Sequence, residues 1–293
     1  MYDHVMHVFL VLFLLFLYLD IAYAVQLYVD DEVDLRVYRR EVPPSNIGNN
    51  TNFLMIRELK FEQLSLFPAS YKRSLRAMRE SSDTDVVCVA NRIKTPERLK
   101  EFLFSLPVNI YLSRRLYQHV SDEPLDQSVL NEHGEVKSLP HLFSHYRNSL
   151  LVVAPTVSYG PFLDRQLEKV SNDNKLFRDG TNYYDTMYHM FRKKRADFLL
   201  GFPAEIYRHQ QQLPIQYRVY DIADAPKYVI GHWMCNNTLK SREFLQRFNA
   251  HIMQVYQSKE YYDAHLKWLP ETAQKKTKIY LDEVLGKLIS QTP

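Results

Sequence analysis

Alternation is what most restricts the folds open to this chain. Between residues 66 and 201, stretches with helical spacing of apolar residues trade places with short apolar runs of strand length. Residues 66–80 (LFPASYKRSLRAMRE) set Tyr71, Leu75 and Met78 on one stripe, which predicts an amphipathic helix. A strand at 86–90, a helix at 96–104 and a strand at 108–112 follow. The same exchange returns as a strand at 150–154, helices at 161–170 and 184–194, and a strand at 196–201. Repeated alternation of this kind predicts an α/β fold with parallel sheets. At 293 residues the chain has room for one large domain or two medium ones.

Around this block the signals are weaker. Residues 35–38 suit a short strand, and 45–52 (SNIGNNTN) has the composition of a turn. The polar stretch 124–139, with a turn at Asn131-Glu132-His133-Gly134, predicts a hairpin or an excursion marking a boundary. Helices are expected at 241–258, 261–269 and 278–289, the first carrying Phe244, Phe248 and Val255 on one stripe. The basic run Arg192-Lys-Lys-Arg195 suits the wet C-terminal end of a helix.

Several function classes drop out. The seven glycines, at 48, 134, 160, 180, 201, 231 and 286, lie too far apart to build a phosphate-cradling loop, so Walker-type ATPases, kinases and Rossmann enzymes are excluded. A net charge of +3 supplies no dense basic face, so no nucleic-acid partner is expected. His141 and His145 stand four apart without a third ligand or a zincin glutamate, so no metal site is expected. No nucleophile elbow is present, and neither catalysis nor a cofactor is expected.

The N-terminus carries an export signature. Residues 8–19 (VFLVLFLLFLYL) are apolar apart from one tyrosine hydroxyl. At about 1.5 Å per residue they cover about 18 Å, short of the roughly 30 Å hydrocarbon core of a membrane. Ala22-Tyr23-Ala24 then offers small residues for signal peptidase, so residues 1–24 read as a signal peptide cleaved after Ala24. An uncleaved anchor is the alternative, and both place the remainder outside the cytoplasm. Cleavage removes two aspartates and no base, leaving 37 basic against 32 acidic residues, or +5. The two cysteines, Cys88 and Cys235, each sit in an apolar strand-like run. Bridging in an oxidising compartment and packing as two buried thiols are equally compatible with that placement.

An ordered set of motifs carries a family resemblance. Asp85-Val-Val-Cys-Val-Ala90, Thr95-Pro-Glu-Arg98 and Phe104-Ser-Leu-Pro107 resemble the strand, T-x-E-R turn and F-S-x-P element of the family 3 extracellular solute-binding proteins. Ser158-Tyr-Gly160 with Leu163-Asp164, Arg195-Ala-Asp197 leading to Gly201-Phe-Pro203-Ala-Glu205, and a C-terminal Tyr262-x-x-x-x-Leu-Lys-Trp268-Leu-Pro extend the likeness over most of residues 65–270. It is nearest an uncharacterised branch with a cysteine in both the T-P-E-R strand and the returning strand.

The resemblance implies a type 2 periplasmic binding protein fold: two discontinuous α/β lobes around an interlobe cleft. Lobe I would comprise 25–118 and the return 225–293, lobe II 119–224, with crossings near 117–123 and 220–227. It implies cross-strand contact of Cys88 with Cys235, and so a disulfide. It also implies a ligand carboxylate on Arg98, whose planar fork matches two carboxylate oxygens.

Thr95 is a good N-cap ahead of Pro96 and a second candidate contact. Ser158, Tyr159 and Gly160 precede a helix whose N-terminal amides would face the cleft. Asn91, at a strand's carboxyl end, and Tyr38 and Tyr159, as an aromatic wall, complete the candidates. The acid that holds an amino-acid ammonium in such proteins is absent from Leu199-Leu-Gly-Phe-Pro203; Glu205 is the nearest.

The expected function is capture of a small polar, carboxylate-bearing ligand, amino-acid-like or an organic acid, by a periplasmic monomer that delivers it to an ABC transporter permease. The alternatives are a sensing or interaction protein with a decayed cleft and a dehydratase-type enzyme using Glu205.

Overall fold

The structure is a computed structural model that describes residues 24–57, 59, 63–180 and 182–290. The expected signal peptide therefore lies, apart from Ala24, outside the described residues.

The first third of the chain runs β1 (Ala24–Val29), α1 (Glu32–Tyr38), α2 (Ile47–Arg57), β2 (Gln63–Pro68), α3 (Tyr71–Glu80), β3 (Val86–Arg92), α4 (Pro96–Glu101), β4 (Leu103–Phe104) and β5 (Asn109–Leu112). A middle block follows with β6 (Arg115–His119), α5 (Leu139–His145), β7 (Leu151–Val153), α6 (Pro161–Lys169), β8 (Lys175–Phe177), α7 (Tyr183–Arg192), β9 (Phe198–Gly201), α8 (Pro203–Gln212) and β10 (Tyr217–Tyr220). The chain ends in β11 (Tyr228–Cys235), α9 (Leu239–Val255), α10 (Lys259–Leu266) and α11 (Glu271–Ser290).

Two sheets result. One has the order β2-β1-β3-β11-β4, with β5 also on β11; the other has β10-β6-β9-β7-β8. The chain passes from the first to the second at Ser113-Arg114 and returns between β10 and β11, giving two lobes and a discontinuous first lobe. The expected division after residue 118 falls inside β6.

Strand β3 shows how a nearly continuous apolar run is used. Its even positions, Val86, Cys88 and Ala90, join Trp233 and the α9 residues Phe244 and Phe248. Val87 and Val89 face the other way, onto Tyr71, Met78 and Phe102. A strand covered on both faces needs apolar residues at successive positions, which is why the run does not alternate. In the second lobe, Leu151 and Val153 pack with Leu142 of α5 and Leu163 of α6, while Val152 packs with Met187 and Phe191 of α7.

The sheets are mixed, which corrects the all-parallel expectation. Strands β1, β2 and β3 run parallel, but β11 is antiparallel to β3, β4 and β5, and β6 is antiparallel to β9 and β10. Both strands that follow a lobe crossing reverse direction. The antiparallel register sets Cys235 opposite Cys88, and the two form a disulfide with a Cα separation of 4.1 Å.

Four local readings are corrected. The expected strand at 35–38 is part of α1, because Asp31 Oδ1 accepts from the Val33 and Asp34 amides and caps a helix there. The expected turn at 45–52 is largely α2. Asn46 Oδ1 accepts from the Asn49 amide at 2.8 Å and Asn49 Oδ1 accepts from the Asn46 amide at 3.1 Å, a reciprocal cap built from the residues that suggested a turn. Residues 66–68 belong to β2, so the helix expected from 66 starts at Tyr71, and the helix expected to 104 ends at Glu101 because Leu103–Phe104 pairs with β11. Of the two readings of 124–139 the hairpin holds, with Leu130 bridging Val136 in antiparallel fashion across the Asn131 turn, and it does not run between lobes, since Leu125, Val129, Leu130, Val136 and Leu139 are buried in the second lobe's core.

Candidate functional site

The carboxyl ends of β1, β3 and β9 meet the crossing strands at the junction of the lobes, where open α/β sheets present ligand sites. A cavity of about 110 Å³ lies there. Asp30, Asp31, Asn91, Arg92 and Arg98 reach it from the first lobe, Ser158, Tyr184, Asp185, Glu205 and Arg208 from the second, and Arg114 and Val229 from the crossings. Both lobes thus supply polar side chains to one enclosed space.

Its floor is a buried polar network. Asn91, next to last in β3, has φ 56°, a left-handed conformation that asparagine tolerates, and its Oδ1 accepts from Asn52 Nδ2 at 2.7 Å and Asn109 Nδ2 at 2.5 Å. Asn52 Oδ1 in turn accepts from Trp233 Nε1 at 2.6 Å. Gly48 makes this packing attainable, since a Cβ there would stand 2.5 Å from Tyr111 Oη and 2.6 Å from Asn91 Nδ2. Asn52, bonded at both ends of its amide, rigidifies the site.

Four guanidiniums line the cavity, in two kinds. Arg92 and Arg208 are neutralised. Arg92 pairs with Asp30 at 2.7 Å, and Arg208 with Asp185 at 2.6 Å and Glu205 at 3.1 Å. Burial works against both charges, but the adjacent carboxylates outweigh it and hold each pKa above the ordinary arginine value. Arg98 and Arg114 form no ion pair among the described residues. Arg98 donates from Nη1 to Ile93 O at 2.8 Å and lies 5.3 Å from the Tyr71 ring centroid; burial lowers its pKa. Arg114 is almost fully buried, with its guanidinium over the rings of Phe202 and Tyr159.

The acidic wall is held less ionised than usual. Burial pushes the Asp34 carboxyl well up, Asp31 adds to it, and the hydrogen bond from Asn49 opposes both. Glu205 is raised by burial even with Arg208 beside it. Neither shift requires a metal: among the described residues no group of His, Cys, Asp and Glu could hold a metal ion.

The residues expected from sequence divide into two groups. Arg98, Asn91, Ser158 and Glu205 all line this cavity. Thr95 does not; its Oγ1 accepts from the Arg98 amide at 3.3 Å, capping α4, and it borders the open mouth of the cleft with Arg98 and Ser158. Tyr38 is corrected from cleft wall to core residue, 5% exposed among Leu35, Met55 and Trp233.

The α6 terminus also differs from expectation. Asp164 Oδ1 accepts from the Tyr159 amide and Oδ2 from Ser158 Oγ, both at 2.6 Å, while Ser158 Oγ accepts from the Gly160 amide. The Tyr159 amide is thus taken by the helix's own acid and the Gly160 amide by Ser158. Tyr159 and Gly160 border a separate cavity beyond Arg114, and the Tyr159 ring backs that guanidinium.

Sequence reading missed Asp30, Asp31, Asp34, Arg92, Arg114 and Arg208. One signal was present for the first two: they follow directly on the apolar run of β1, where a strand's carboxyl end would lie. Arg114 stands at the crossing, which only the lobe division reveals.

No protein-family model matches the chain, and no curated protein matches it in sequence. Solved structures do match. A putative L-cystine ABC transporter protein from Listeria monocytogenes superposes with TM-score 0.58 at 14% identity, over 85% of this chain and 96% of that one. A structure reported for glutathione import via GshT and the cystine ABC importer TcyBC of Streptococcus mutans gives 0.61 at 13%, over 86% and 99%. An ABC uptake transporter substrate-binding protein from Streptococcus pneumoniae with bound histidine gives 0.57 at 11%, over 84% and 92%. At these identities the likeness shows the fold, and it is the two-lobed binding-protein fold.

Proposed function

We propose that the protein is an exported solute-binding protein that closes its two lobes on a small polar, carboxylate-bearing ligand, amino-acid-like or an organic acid, and hands it to an ABC transporter permease. The observation that carries this reading is the cleft guanidinium of Arg98, which lines a cavity shared by both lobes and forms no ion pair among the described residues. A bidentate acid group on such a guanidinium contributes roughly 1.5 to 3 kcal/mol per charged hydrogen bond. Asp31, Asp34 and Glu205, which line the same cavity, suit a ligand that also bears an amine.

Binding is favoured over catalysis because Glu205, the base a dehydratase would need, is tied to Arg208. The Streptococcus pneumoniae neighbour's description as a transporter substrate-binding protein points the same way. The apolar N-terminal segment and the Cys88–Cys235 disulfide support life outside the cytoplasm, and among the described residues no helix is long and apolar enough to cross a membrane. The protein works as a monomer in this reading.

A thermal-shift screen of amino acids, organic acids and short peptides tests it, with Arg98→Ala as control. Hits that stabilise the parent protein and lose that effect in Arg98→Ala are expected. Equal shifts in both proteins reject the Arg98 assignment.

A further inference from the structure

Arg114 is 3% exposed and unlike its neighbours in charge environment. Arg92 and Arg208 each hold a carboxylate, at 2.7 and 2.6 Å, whereas Arg114 has none among the described residues. Its guanidinium lies 3.9 Å from the Phe202 centroid and 4.6 Å from that of Tyr159. Nη2 donates to Tyr184 Oη at 3.1 Å, while Nε and Nη1, both sealed from solvent, find no acceptor among the described residues.

Packing alone does not explain this arrangement. A leucine between the two rings would fill the space without burying a charge, and a buried charge lacking its partner is strongly destabilising. The cation–π contacts offset part of that cost, but they act on the faces of the guanidinium and leave its in-plane donors unmet. What those donors lack is an acceptor, and the buried positive charge favours an anionic one.

The position of the residue adds a second point. Ser113-Arg114 is the first crossing between lobes, so an acid group bound there is held where the lobes pivot. Arg98 lines the same cavity from α4, also without a carboxylate. One cleft therefore presents two guanidiniums, from different elements, that lack counter-charges.

We propose that Arg114 is a second anion-binding residue of the cleft, and that the ligand is a small molecule with two acidic groups, one held by Arg98 and the other by Arg114. This rests on the reading of the cleft as a ligand site and narrows it from monocarboxylates to dicarboxylates, with or without an amine.

Isothermal titration of the secreted protein with four probes, propionate, L-alanine, succinate and L-glutamate, tests the proposal. Succinate and L-glutamate are expected to bind at least about tenfold tighter than their one-acid counterparts, the factor that one charged hydrogen-bonded contact confers. Arg114→Gln abolishes that preference, whereas Arg98→Gln weakens all four probes. Should the glutamine variant fold poorly, Arg114→Lys serves, losing the planar fork and most of the preference. In ¹⁵N spectra of the unaltered protein the Arg114 Nε signal shifts on adding succinate.

Binding that depends on Arg98 but shows no dicarboxylate preference, or a preference untouched in the Arg114 variants, overturns the role of Arg114 alone. Failure of all four probes together with an empty wider screen overturns the cleft reading as well.

Discussion

Removing the Cys88–Cys235 crosslink tests how far the first lobe relies on a covalent tie between its two chain segments. The cysteines are 147 residues apart, and the loop they close contains the whole second lobe. Loop-closure entropy for a ring of that size comes to about 17 cal/mol/K, or about 5 kcal/mol at 25 °C. Both side chains are fully buried, so Cys88→Ala/Cys235→Ala also leaves a small void that costs about 1 kcal/mol more. With a urea slope of about 3 kcal/mol/M for a chain this long, the midpoint should fall by about 1.5 to 2 M.

The assay is urea unfolding followed by circular dichroism at neutral pH, with and without reductant. Reductant should lower the parent midpoint by a similar amount and leave the double variant unmoved. A double variant within about 0.3 M of the parent refutes the reasoning, since it would mean that β3 and β11 hold register without the tie.

Two further outcomes follow from buried groups. Gly48→Ala forces a Cβ against Tyr111 and Asn91, so it should lower stability by about 1 to 3 kcal/mol and weaken ligand binding, read from urea unfolding and titration with the best screened ligand. His265 is buried with Nδ1 donating to Tyr261 O and Nε2 accepting from the Ile110 amide, and burial pulls its pKa down to about 4. The unfolded chain takes up this proton near pH 6.5 and the folded protein refuses it until about pH 4, so stability is full above pH 6.5 and falls through that window. The loss from this residue reaches about 3 kcal/mol. His209 and His232, also pulled down to about 4, act in the same direction. His265→Gln should flatten the slope of stability against pH between 4 and 6.5, and an unchanged slope refutes the assignment.

Legibility differed by element. Strand β3, α4 and α6 were visible because their signals are local: an apolar run, Thr95-Pro96 opening a helix, and Gly160-Pro161 opening another. Helix α2 was hidden because its asparagines favour turns in isolation. They serve a helix here because Asn46 and Asn49 cap its start while Asn52 meets Trp233, 181 positions away, and Asn49 meets Asp34. The turn in segment 124–139 was visible, but its place in the second lobe's core was hidden, its few apolar residues being spaced to fill a core rather than to mark an element.

By itself the sequence determined the α/β class, the motif order that resembles a binding-protein family, and the placing of Arg98 and Asn91 at the ends of recognisable elements. These follow from nearest-neighbour chemistry along the backbone. Only the tertiary structure decided which charges are matched. Asp30 neutralises Arg92 across 62 positions, Asp164 and Ser158 take the Tyr159 and Gly160 amides that were expected to meet a ligand, and Arg114 at the lobe crossing finds no acid among the described residues. Whether a charge is satisfied depends on distance through space and on the water removed around it, and neither quantity is written in the order of residues.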